Sequence, residues 1–166
     1  MTPEQYLALL DQRMGSRGFS LMPQPPTDLR VDRMFQRREF SLTKFGIVDT
    51  FCLIRRASEP LTPVSVEAFS RASFAFALKH KIWIPRGFGG TAVAYPVLVA
   101  DAVPDTVRQF AERYCPRHWA SIEFPVVVDC SSGSLLFYKS TPLWGAAYYR
   151  GLRRQSEELF HCAAPG

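Results

Sequence analysis

The chain has no run of roughly eighteen apolar residues, the length a helix needs to cross a bilayer. Its longest candidate, AVAYPVLVADAV from Ala92 to Val103, already contains Asp101, so a membrane-spanning helix is excluded. The opening segment MTPEQYLALLDQ carries acids where an export signal needs a basic start and an apolar middle. It points to a cytoplasmic protein. Cysteine is scarce and dispersed: Cys52, Cys115, Cys130 and Cys162 lack the close pairing of a small disulfide scaffold, and reduced thiols are expected. Lysine is scarcer relative to its partner cation, four against sixteen arginines. The net charge of +5 is spread along the chain rather than massed in one block. Such a spread hints at an anionic partner but also suits ordinary solvated faces.

Several chemistries are missing as motifs. No Gly-x-Ser-x-Gly elbow and no His-Glu-x-x-His pair occurs. CPRH, from Cys115 to His118, has the spacing of half a zinc site, but His161 and Cys162 are adjacent near the end of the chain and make a poor second half. Zinc is not expected. Cys130 beside Asp129 could act as a nucleophile with His118 or His161 as base, although a cysteine ending a buried strand is more commonly inert packing.

What remains is rich in core-forming material. The 166 residues are 47% hydrophobic, with thirteen phenylalanines, enough for one domain with a substantial core. TPEQYLALLDQRM reads as a helix over residues 1–18: Thr2 and Gln5 make a capping box, Pro3 suits the first turn, and Tyr6, Leu9, Leu10 and Met14 form one stripe. It is expected to be an appendage, followed by a Pro-rich loop over 19–37. The sheet core is expected over 38–140. Phe40 and Leu42 alternate with polar residues, Gly46 permits a turn, and IVDTFCLI from Ile47 to Ile54 suits a strand buried on both faces, so a hairpin is predicted.

A helix starting at Pro63 or Ser65 should cover the sheet with Val66, Phe69, Ser73, Phe76 and Ala77, its end carrying Lys79, His80 and Lys81. YPVLVAD and FPVVVD echo each other around PDTVRQFAERY, whose spacing is helical, so strand, helix, strand with a parallel pair is predicted. CSSGS then turns the chain into the returning strand LLFYK. A last helix is placed at 141–160, starting at Pro142 after Thr141, with Trp144, Tyr148, Leu152 and Leu159 on one side and Arg150, Arg153 and Arg154 on another; 161–166 is a tail. The fold class is mixed α/β, one domain with five or six strands covered by helices.

Three carboxylates stand out. Asp49 lies mid-strand among Ile47, Phe51 and Leu53, where an ionised acid needs a partner. It suits a metal ligand, a general acid or base, or, more plainly, an ion pair with an arginine or a cap of backbone donors near a sheet edge. Asp101 and Asp129 close the two echoing strands, where ligands of open α/β sheets bind; capping of a helix or turn is the plainer role for each. Converging with Asp49, they could hold Mg2+ or Mn2+. In KHKIWIPRGFGGT, residues 79–91, the order of elements is the reverse of a phosphate-cradling loop. The glycines are expected to turn a short strand, Ile82 to Ile84, towards the next. Arg86 with the amides of Gly87, Gly89 and Gly90 could still form an anion-binding rim. Arg150, Arg153 and Arg154, interleaved with aromatics, could grip phosphates or simply flank a core-facing stripe.

The order helix, hairpin, helix, strand, helix, strand pair resembles the restriction-endonuclease-like fold in topology. That resemblance implies a metal-dependent nuclease with an aspartate on one strand and Glu-x-Lys on the next. The residues two places before Lys44, Lys79, Lys81 and Lys139 are Leu42, Ala77, Lys79 and Phe137, so no acid occupies that spacing. The sequence therefore points first to a non-catalytic binding or regulatory domain whose partner is a protein or a nucleic acid, with a homodimer through the last helix also open. The alternative is a metal-dependent phosphodiester hydrolase using Asp49 with Asp101 or Asp129.

Overall fold

A computed structural model describes residues 1–23, 27–41, 46–85, 88–140 and 146–162. Its organising element is a pair of long parallel strands, β3 (Gly46–Arg56) and β4 (Gly90–Ala100), each eleven residues. Both are apolar nearly throughout because helices cover both faces. β2 (Arg33–Ser41) runs antiparallel to β3 as the predicted hairpin, with Ser41 opposite Gly46. It starts at Arg33, inside the segment expected to be loop, and a two-residue strand β1 (Ser20–Leu21) pairs with it.

On the other side of β4, the chain lays down two short parallel strands in line, β6 (Ser121–Glu123) and β7 (Val126–Asp129). Pro125 falls between them and cannot donate to the ladder. Two-residue β5 (Arg117–His118) is antiparallel to β6, and β8 (Ser134–Leu136) is antiparallel to β7. The sheet is mixed, as expected, but has eight strands rather than five or six. The additional ones are two or three residues long, too short to leave a periodic signal.

The alternation of strand side chains divides the core into two layers. Val48, Cys52 and Ile54 of β3, with Val93, Tyr95, Val97 and Val99 of β4, face helices α1 (Pro3–Ser16) and α4 (Ala146–Phe160). Phe51 and Leu53, with Ala94, Leu98 and Ala100, face α2 (Pro63–His80) and α3 (Asp105–Arg113). The alanines of β4 let α2 lie close against the strand. Helix, sheet, helix gives one three-layered domain. Helix α1 carries the predicted capping box, but it is no appendage: Tyr6, Leu7, Leu10 and Met14 are buried in the first layer. Its anchor is the Tyr6 hydroxyl, which donates to the Phe160 carbonyl at 2.8 Å. Burying each such side chain contributes about 1.5–3 kcal/mol.

α2 begins at Pro63, capped by a reciprocal pair of bonds between Thr62 and Ser65. The start predicted for α4 at Thr141 and Pro142, with Trp144, lies outside the described residues. Among the described residues no helix is long and apolar enough to cross a membrane. All four cysteines are free thiols.

Candidate functional site

Asp49 lies near the amino end of β3, an inner strand of the sheet, on the α2 face and is fully buried. Its neighbours satisfy it completely. Arg38, directly opposite on β2, donates from Nε to one carboxylate oxygen at 2.7 Å and from Nη2 to the other at 3.2 Å. The Gln36 amide adds a bond at 3.3 Å, and the backbone N–H of Ile82 adds one at 2.6 Å. The bonds to Asp49 raise the pKa of Arg38 further, so the cation persists at any ordinary pH. Both carboxylate oxygens are engaged, and a metal ion at this position would have to displace Arg38. Asp49 thus ties together β2, β3 and the loop that follows α2.

That loop crosses the amino ends of β3 and β4. Residues 82–84 form no strand; Lys81 Nζ instead donates to the carbonyls of Ile82 and Ile84, curling the segment on itself. The Ile47 amide donates to the Gly89 carbonyl at 2.7 Å. A Cβ at Gly46 would lie 2.2 Å from the Gly89 oxygen, and one at Gly90 would lie 2.1 Å from the Ile84 oxygen. Glycine is required here by close approach of two backbones. Arg86 and Gly87, the rest of the anion-binding rim read from sequence, lie outside the described residues. Gly89 and Gly90 serve in the turn.

The tight loop has an outward consequence. Trp83 is 88% exposed and Phe88 80%, and Phe40, opposite Ile47 at the end of β2, is 70% exposed. Three large rings therefore stand in water at one end of the sheet. Beside them are exposed Lys79 and His80, ending α2, and half-exposed Arg38. The acids of this region are already committed, Glu39 to Arg37 at 3.2 Å and Asp49 to Arg38. No aromatic stripe or repeat marks these rings in the sequence, because they come from two separate segments.

Asp129 lies at the far end of the sheet. Asp49 stands beside Ala92 of β4 and Asp129 beside Ala100, eight residues further on, about 26 Å along the strand. The structure does not bring them together. Asp129 is buried and accepts bonds from Arg108 at 2.9 Å, from the Ser131 hydroxyl at 2.7 Å, and from the amides of Ser131 and Ser132. This is a capped turn. Burial by itself would raise its pKa, but the bonds from Ser131 and Ser132 outweigh burial and hold it below the usual range. Asp101 is exposed at the end of β4 and does not cap α3, whose first turn follows Pro104 without a side-chain bond. Among the described residues no three His, Cys, Asp or Glu side chains converge as a metal site.

The arginines of α4 serve separate purposes. Arg153 donates to the carbonyls of Lys139 and Ser140, Arg154 pairs with Glu158 at 2.8 Å, and Arg150 is exposed.

A second buried acid went unnoticed in the sequence. Glu123, 1% exposed, accepts from the Ser70 hydroxyl at 2.6 Å and from His118 Nε2 at 2.7 Å. The His118 ring stacks on Phe74 with centroids 3.9 Å apart. The pair borders a cavity of about 280 Å³ with Cys115, Ser121 and Tyr149. The readable signal was an acid between Ile122 and Phe124, the same pattern that singles out Asp49. His118 is thus committed to Glu123, and burial pushes the Cys130 thiol up to about 11. A thiolate there is scarce at neutral pH. Compared with family models, with curated proteins and with solved structures, the chain finds no match.

Proposed function

We propose that the protein is a non-catalytic binding domain that holds single-stranded nucleic acid against the amino ends of β3 and β4. The observation that carries this reading is the trio Phe40, Trp83 and Phe88, exposed at the same end of the sheet as Lys79, His80 and Arg38, with Glu39 and Asp49 already paired. A soluble protein keeps large rings in water at a cost, and clustered exposed rings commonly mark a contact surface. Rings offer faces on which bases stack, and cations track the backbone. The net charge of +5 acts in the same direction. Asp49 has a supporting part: by holding Ile82 it sets the position of Trp83 one residue on.

The test is fluorescence anisotropy of a labelled oligothymidylate. Trp83→Ala and Phe88→Ala should each weaken binding roughly tenfold, since base stacking on a ring contributes about 1–3 kcal/mol. Affinity should fall steeply with salt. The oligonucleotide should be recovered intact with Mg2+ or Mn2+ present. Binding unchanged in both variants would overturn the surface assignment. Cleavage that Asp49→Asn abolishes would instead favour the phosphodiester hydrolase.

A further inference from the structure

A cavity of about 610 Å³ opens at the opposite end of the sheet, beyond the carboxyl ends of β3 and β4. Ligands of open α/β sheets are met outside the carboxyl ends of the strands. It is lined by Arg55 and Arg56 at the end of β3, by Arg30 and Asp32 ahead of β2, by Glu59 in the connection from β3 to α2, and by Asp101 just past β4.

The charges within it are unevenly matched. Arg56 is neutralised twice, by Asp32 at 2.9 Å and by Glu4 at 2.6 Å. Arg30 and Arg55 form no ion pair among the described residues, and neither do Glu59 and Asp101. Arg55 is only half-exposed and lies over the Phe69 ring at 4.3 Å, which fixes its direction. Burial, and then the neighbouring charge of Arg30, lower its pKa, and nearby Asp32, already bonded to Arg56, offsets this only in part. Arg30 itself adopts φ 49°, a left-handed conformation uncommon outside glycine. A strained backbone carrying an unpaired cation next to another one is the kind of tension found at ligand clamps.

We propose that this cleft binds a zwitterionic small molecule of about dipeptide size, its carboxylate against Arg30 and Arg55 and its ammonium against Glu59 and Asp101. The two guanidiniums supply forked donors that match a carboxylate. The two free carboxylates make a purely anionic ligand a poor fit and a zwitterion a good one. The proposal does not depend on the nucleic-acid surface, which lies at the other end of the same strands.

The experiment is thermal unfolding of the full chain with the dipeptide alanyl-alanine, its N-acetyl form and its C-terminal amide. At roughly tenfold its Kd the dipeptide should raise Tm by about 4 °C, and each blocked form should do less. Arg55→Gln and, separately, exposed Arg30→Gln should remove the shift; Asp101→Asn should reduce it. Arg30→Gln guards against a folding defect in the Arg55 variant. The absence of any shift at millimolar dipeptide, equal shifts from the dipeptide and a blocked form, or a full shift in both arginine variants would each overturn the proposal.

Discussion

Arg38 and Asp49 face each other across the β2–β3 ladder as a two-bond ion pair whose members live in different media, the guanidinium half in water and the carboxylate wholly out of it. The asymmetry decides what each substitution does. Removing the acid releases a cation that can turn to solvent, whereas removing the cation strands a buried charge.

Arg38→Ala should therefore cost more than Asp49→Asn. About 3 kcal/mol is expected for the former and about 1–2 for the latter, in which the amide still fills the same space. Chemical denaturation of the two variants measures the difference. Equal losses would mean that the carboxylate reaches water in a way the fold does not display. Asp49→Asn should also speed proteolytic nicking between Lys81 and Gly89, since the Ile82 amide loses its charged acceptor.

Asp129 provides a pH signature. Its carboxyl is depressed in the folded chain, so its contribution is fully present above the pKa of an unfolded aspartate, near 4, and is lost as pH falls through the lower folded value. Melting temperature should decline below about pH 4, and Asp129→Asn should be less stable at pH 7 with a shallower decline. A wild-type decline no steeper than the variant's would refute the assignment.

The first helix should prove indispensable. Tyr6→Phe leaves the Phe160 carbonyl without its buried donor and should cost about 1–2 kcal/mol. Leu10→Ala, at a position with no exposure, should cost about 3 kcal/mol. A chain lacking residues 1–18 that still melts cooperatively at the parent temperature would show that the first layer does not need α1.

The burial of α1 marks a limit on what the residues alone announce. The hairpin and the β4, α3, β7 crossover were legible because their periods are clear and their partners lie close in the chain. The stripe of Tyr6, Leu10 and Met14 announces an amphipathic helix, but nothing local says that Phe160 lies under it, 154 residues away from Tyr6. Asp49 stood out because an acid in an apolar strand must be paired; that the partner would be Arg38 follows only from the register. Asp101, Asp129 and Asp49 resemble a set because Asp49 and Asp129 sit on strands of one sheet and Asp101 directly follows a third. Direction along the strand, which residue type does not reveal, separates Asp49 from the other two. The ring trio and the zwitterion cleft are assembled from distant segments and had no sequence trace.

The borders of the sheet carry a consequence of their own. β1 and β5 are two residues long and β8 is three, so a neighbouring chain meets no extended row of unpaired amides and carbonyls at those borders. β1 covers β2 only at Phe35 and Gln36, and the uncovered stretch beyond presents Arg37, Arg38 and Glu39, charges that oppose lateral addition. Strand-to-strand fusion of two molecules is thereby discouraged at these borders.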